Sequence, residues 1–230
     1  MWKFRWVWLS ALLVLGGCNT VYSEKPLFTA EDAAGAPPLK PGLWMTYQLE
    51  GDEPCRFDFN RPVRKWPDCV SWVLVREGDV LQFGDNGKER VWISHAYILA
   101  AGQPRILQTT WLSSGADHEG SGTNSQFSAV VPIGHDESGR ISDYRTWEAQ
   151  CGPPNATQYP PDSGPHPTTL APLPGLVMNE DGNSCEAKDR EAVRRSVAAT
   201  EAWDTNRNAA HWVRESRPDD FARGRLRKLR

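Results

Sequence analysis

The stretch Leu43-Trp44-Met45-Thr46-Tyr47-Gln48-Leu49-Glu50 repeats with a period of two. Leu43, Met45, Tyr47 and Leu49 alternate with Trp44, Thr46, Gln48 and Glu50, the pattern of a strand that turns one face to a core. The same period returns in residues 69–76, 79–83, 90–99, 105–111, 125–133 and 141–148. Between these runs stand Glu77-Gly78, Asp85-Asn86-Gly87, Ala101-Gly102-Gln103-Pro104 and Glu137-Ser138-Gly139, residues that supply the positive or fixed φ of tight reversals. Strands joined by such short turns pair antiparallel. The fold class that follows is mainly β, an antiparallel meander forming a barrel or a sandwich.

Two longer segments interrupt the pattern: residues 113–124, rich in Gly and Ser, and the proline-rich residues 152–167. Both read as surface loops, open to binding roles. Helix is expected only near the end. Asn183 followed by Glu186 has capping-box spacing, and residues 186–204 contain neither Gly nor Pro and gather Ala192, Val193, Val197 and Trp203 near one face. A second short helix is expected over residues 209–215, packing Trp212. Residues 42–183 thus form the β domain, and residues 184–216 a C-terminal helical segment packed on it as a lid.

Charge divides along the same boundary. Residues 18–183 carry 12 Lys and Arg against 21 Asp and Glu, whereas residues 184–230 carry 12 against 8. Residues 217–230 form a basic tail, and its last ten residues hold five basic side chains and no acid. Beside an anionic membrane each such charge contributes about 1 kcal/mol, which makes anionic lipid or an envelope polyanion a candidate partner; the alternatives are that the segment folds back on the acidic domain or is a solvated tail.

The N-terminus points to a destination. Lys3 and Arg5 precede an apolar run over residues 6–15, which ends in Leu15-Gly16-Gly17-Cys18. The layout is that of an export signal, and the run is too short for a membrane-spanning helix, which needs roughly 18 or more apolar residues. Leu15-Gly16-Gly17-Cys18 resembles the lipobox of bacterial lipoproteins. That resemblance implies removal of residues 1–17, lipidation of Cys18 and attachment to the cell-envelope membrane. Asn19, where an aspartate would signal inner-membrane retention, implies the periplasmic face of the outer membrane. Residues 18–41, with Ala33-Ala34-Gly35-Ala36-Pro37-Pro38, read as the lipidated terminus and a flexible tether with a reach of roughly 25 Å. At that address nucleic acid is not an expected partner.

Besides Cys18 there are four cysteines, Cys55, Cys69, Cys151 and Cys185, an even number that suits an oxidising compartment. Of three possible pairings, Cys55 with Cys69 and Cys151 with Cys185 each flank a plausible hairpin or loop. No Cys-x-x-Cys spacing occurs, so neither a zinc site nor any other cofactor is expected.

Two clusters of histidine and acid, Asp117-His118-Glu119 and His135-Asp136-Glu137, have side chains suited to proton transfer. The strand over residues 125–133 separates them by roughly 30 Å, so they read as solvated turns rather than one site. No nucleophile elbow, zinc-protease helix or phosphate-binding loop is present. Within residues 55–69, Arg56, Arg61, Arg64, Lys65 and Trp66 mark a basic and aromatic loop able to meet an anionic ligand or a glycan. The opposing reading is a hairpin whose aromatics enter the core.

Eight tryptophans follow Cys18, as core residues or as the lining of a barrel cavity. The function expected is a non-enzymatic binding or structural module. Its alternatives are a barrel-type carrier of a small apolar or glycan ligand and a hydrolase without a recognisable motif.

Overall fold

The computed structural model describes residues 19–48, 57–66, 71–85, 90–112, 123–155, 168–180, 182–204, 208–220 and 226–227. A short strand β1 (Thr20–Ser23) precedes all seven expected strands, which form β2 (Gly42–Gln48), β3 (Ser71–Arg76), β4 (Asp79–Asp85), β5 (Arg90–Ala100), β6 (Arg105–Leu112), β7 (Thr123–His135) and β8 (Ile141–Glu148). Each of β2 to β7 pairs antiparallel with the next. The turns follow from their residues. Gly78 and Gly139 take φ of 79°, a conformation that costs a glycine little, and Asp136 accepts from the Ser138 and Arg140 amides.

Whether the meander closes is decided outside it. The short strands β9 (Leu176–Met178) and β10 (Ser184–Ala187), helix α1 (Arg190–Thr200) and strand β11 (Asn208–Arg214) follow. β11 runs antiparallel between β8 and β2, with Ala210 opposite Tyr144 on one edge and Thr46 on the other. The ring is thereby completed as an eight-stranded antiparallel barrel rather than a sandwich. The helix expected over residues 209–215 is therefore a strand. Two open sheet edges needed a partner, and that demand outweighed the helical preference of Ala209-Ala210.

Both faces of the barrel wall are covered. Inside, Trp44, Val75, Val80, Leu99, Val130, Ile141, Tyr144 and Ala210 pack around Leu39. Outside β6 to β8, Ile106, Phe127, Ala129 and Trp147 meet Val21, Phe28 and the Ala192, Val193 and Val197 face of α1. Outside β2 to β4, Leu43, Leu74 and Leu81 lie under Val63 and Trp66 of a strap, residues 57–66. On β2, then, Leu43 and Met45 meet the strap while Trp44 faces the lumen at 0 % exposure.

Three further expectations are corrected. Helix α1 is capped by Asp189, whose carboxylate accepts from the Ala192 amide at 2.8 Å, and not by Asn183. Residues 184–187, placed in its first turn from the sequence, are strand β10, paired in parallel with β1. Residues 19–41 are packed rather than a free tether. Buried Gln108 accepts from the Leu27 and Phe28 amides at 2.8 and 2.9 Å and donates to the Phe28 carbonyl, so Phe28 is fixed with no exposed surface. In the tail, Pro218–Asp220 forms a 3₁₀ turn and strand β12 (Leu226–Arg227) pairs in parallel with Trp92 and Ile93 of β5, so its described part folds back on the domain. The disulfide Cys151–Cys185 is present and ties the exit of β8 to β10. Cys18, Cys55 and Cys69 lie outside the described residues.

Candidate functional site

Strand direction gives the barrel two ends. The turns at residues 77–78, 101–104 and 136–140 lie at one, the base, where the apolar lumen residues fill the interior. The chain leaves β2, β4, β6 and β8 at the other, the mouth. A cavity of about 450 Å³ occupies the lumen toward the mouth. Its floor is Leu39, Val75, Val80 and Tyr144, and Val73 and Leu107 line it above. Apart from Trp147, the remaining described wall is polar, with Thr46 from β2, Gln82 from β4, Thr109 from β6, Gln126 and Ser128 from β7, Thr146 and Glu148 from β8 and Asn208 from β11. Gln150 and Asp204 line it at the rim.

These positions follow from pleating. Successive residues on a strand point to opposite faces, so Gln126 and Ser128 line the lumen because Phe127 and Ala129 are drawn outward under α1. Leu107 and Thr109 are likewise interleaved with Ile106 and Gln108. Hydroxyls and carboxamides dominate the wall, and among the described residues its charged members, Glu148 and Asp204, are both acidic. The described wall therefore offers hydrogen bonds suited to an uncharged or cationic guest, and none of its described residues presents a cation to an anionic one. Thr146 spends its proton on the Ala129 carbonyl, at 2.8 Å, which leaves its lone pairs as acceptors.

At the floor, burial raises the Tyr144 hydroxyl well above the usual phenol range, with Tyr97 adding to the effect, so Tyr144 remains a neutral donor. Burial, followed by Glu77 and Asp79, raises Tyr97 in the same sense. His95 is paired with Val80 in register, and burial holds its imidazole below the ordinary value.

The residues singled out in the sequence lie elsewhere. Arg61 is exposed beside Asp58 at 3.7 Å, Lys65 is exposed, and Arg64 belongs to the turn Val63–Lys65. Trp66 is not a stacking platform, being 7 % exposed, donating to the Arg61 carbonyl at 3.0 Å and touching Phe57 and Trp72 edge to face or tilted. Arg56 and the cluster 117–119 lie outside the described residues.

Nor do tryptophans line the cavity as the carrier reading supposed: Trp147 alone of those with described side chains reaches it. Trp44, Trp147 and Trp212 instead donate to the Lys40, Val197 and Pro41 carbonyls and hold segments against the barrel.

Two arrangements bear on catalysis. Ser142, Asp143 and His211 come together on the outer wall, but the Ser142 hydroxyl and the His211 Nδ1 both meet the carboxylate of Asp143. A relay that activates serine needs the hydroxyl on the imidazole. Among the described residues no three His, Cys, Asp or Glu side chains gather closely enough to hold a metal ion.

The polar lumen was hidden in the sequence because the alternation there is correct while its polarity is inverted. The signal that could have exposed it is the row of uncharged polar residues, Gln126, Ser128, Thr146 and Thr109, where a solvated face would carry more charge. No protein-family model, no curated protein and no solved structure matches the chain.

Proposed function

We propose that this protein is a non-enzymatic binding module that takes one small polar ligand, uncharged or cationic, into the mouth half of its barrel. The cavity itself carries this reading. Its volume of about 450 Å³ lies in the range of small-molecule sites, roughly 300–1,000 Å³, and its wall of hydroxyls and carboxamides suits a polyhydroxylated or amine-bearing guest better than an apolar one. A glycan fragment has that chemistry. The apolar floor at Val80 and Tyr144 would take the less polar face of such a ring.

The Leu15-Gly16-Gly17-Cys18 pattern supports, as part of the same proposal, an acyl anchor on Cys18 and residence at the periplasmic face of the outer membrane.

The test is calorimetric titration of the full chain with neutral oligosaccharides, oligoamines and sugar phosphates, in parallel with Thr109→Leu/Ser128→Leu, which fills the lumen with apolar volume. Neutral or cationic guests are expected to bind the native chain and to be lost in the variant, with sugar phosphates the weakest. Equal binding by the two proteins, or preference for the anionic guests, overturns the reading. For the anchor, incorporation of a fatty-acid analogue should disappear in Cys18→Ser.

A further inference from the structure

We propose that the surface around Asn19, formed by residues 152–155 and 168–172, is the face on which the domain sits against a lipid bilayer, with Leu170 entering the interface; this rests on the acylation of Cys18 proposed above. An acyl group on Cys18 stands one peptide bond from Asn19, about 3.8 Å between Cα atoms. Asn19 is bound into the domain. Its carbonyl accepts from the Cys151 amide at 2.9 Å, its Nδ2 donates to the Gly152 carbonyl at 2.9 Å, and its Oδ1 accepts from the Thr168 hydroxyl at 3.3 Å. Thr20 continues into a bridge with Gln150 and the ladder with Ser184. Because the chain is packed from Asn19 onward, no linker separates the anchor from the fold, and the surface that surrounds Asn19 is drawn to the membrane with it.

The composition of that surface suits a lipid interface. Residues 149–179 contain no Lys or Arg and a single acid, Asp162, in a chain of which 24 % is charged. Asp162 lies outside the described residues, and the uncharged stretch ends at Glu180. A surface without charges loses little hydration on meeting lipid, whereas a charge taken out of water is costly. Pro153, Pro154, Leu170, Ala171 and Pro172 are exposed there, and Leu170, at 68 %, is the most exposed large apolar side chain among the described residues. Leu170 is tied to Asn19 through Gly152. A Cβ on Gly152 would fall 2.3 Å from the Ala171 carbonyl oxygen and 2.7 Å from Thr169 Oγ1, so both chain neighbours of Leu170 press on the residue whose carbonyl accepts from Asn19. The loop is held in place: the Asn155 amide donates to the Thr168 carbonyl and the Leu173 amide to the Cys151 carbonyl, both at 2.8 Å, and Cys151 is bridged to Cys185. A lipid chain and a fixed apolar side chain at one place are two attachments, and together they orient the domain.

The experiment uses protein expressed from the full chain, purified from membranes in detergent and reconstituted into phosphatidylcholine vesicles. A fluorescent amino acid replaces Leu170, or Glu137 in the base turn as a remote control. Between the two levels β7 carries the chain roughly 26 Å, from Phe127, which bonds Ala149, to His135. Lipid bearing a nitroxide at the head-group end of its acyl chain serves as quencher. Several-fold stronger quenching at 170 than at 137 is expected. With the fluorophore at position 154 instead, Leu170→Asp should lower quenching at least twofold and leave the melting temperature unchanged, because the leucine side chain is exposed.

Equal quenching at 170 and 137, or stronger quenching at 137, overturns the proposal, and quenching at 154 that ignores Leu170→Asp overturns the part given to Leu170. Mass spectrometry of the N-terminal peptide separates this proposal from the anchor beneath it. Acylated protein with equal quenching rejects the seating alone, whereas protein without the acyl group rejects the anchor and the seating with it.

Discussion

Asp220 is the residue on which the strap depends. Its side chain has no exposed surface, and the Arg214 side chain beside it is 11 % exposed. Oδ1 accepts from Arg214 Nη2 at 2.7 Å and the Val63 amide at 3.2 Å, and Oδ2 accepts from Arg214 Nη1 and the Arg217 amide, both at 2.8 Å. Arg214 in turn donates to the Phe59 carbonyl at 2.9 Å, so one ion pair joins the end of β11 to the segment that covers Leu43, Leu74 and Leu81. Asp220→Ala strands a desolvated guanidinium and two amides, a loss of about 3–5 kcal/mol for a buried pair broken on one side. Arg214→Met/Asp220→Leu removes both charges and should recover much of that loss.

The assay is urea unfolding followed by tryptophan fluorescence under non-reducing conditions, together with hydrogen exchange at Val63 and Trp66. A cost below about 1 kcal/mol for Asp220→Ala, or a double variant no more stable than the single one, would refute the account.

pH supplies an independent reading. Burial pushes the Asp220 carboxyl up, but the Arg214, Arg217 and Val63 hydrogen bonds and the Arg214 charge outweigh it and hold the carboxyl below its ordinary value. The stabilisation is then complete above the unfolded value, about 3.9, and is lost as pH falls through the lower folded value. Asp220→Asn should flatten that acid limb of the stability curve.

The disulfide Cys151–Cys185 closes a loop with a sequence separation of 34. Replacing both cysteines with Ser is expected to cost about 4 kcal/mol on the chain-entropy model, measured by the same urea unfolding, while non-reducing peptide mapping should link 55 to 69. His95 is held below its ordinary value by burial, so the unfolded chain takes up a proton first as pH falls below about 6.5. Stability should decline with acidification between that value and the lower folded one, and His95→Gln should remove this slope in denaturation curves taken at successive pH values. At Gly152 an added Cβ would overlap the Ala171 carbonyl oxygen and stand 2.7 Å from Thr169 Oγ1, so Gly152→Ala should lower the melting temperature by an amount matching about 1–3 kcal/mol.

The sequence by itself determined the seven strands of the meander, because period-two alternation and turn residues such as Gly78 and Gly139 are local signals. It also determined the capacity of Cys151 and Cys185 to pair. What it could not determine lay in contacts between distant segments. Asn183 and Glu186 have capping spacing, yet residues 184–187 are a strand because β1 offers an edge to pair with. Residues 19–41 have a disordered composition, yet Gln108, eighty positions away, holds Phe28 in place. Only tertiary structure made β11 the eighth stave of a barrel, and only that closure turned the polar faces of β6, β7 and β8 inward. The physical reason is that pleating fixes which residues share a face, whereas the elements packed outside the wall decide which face meets water.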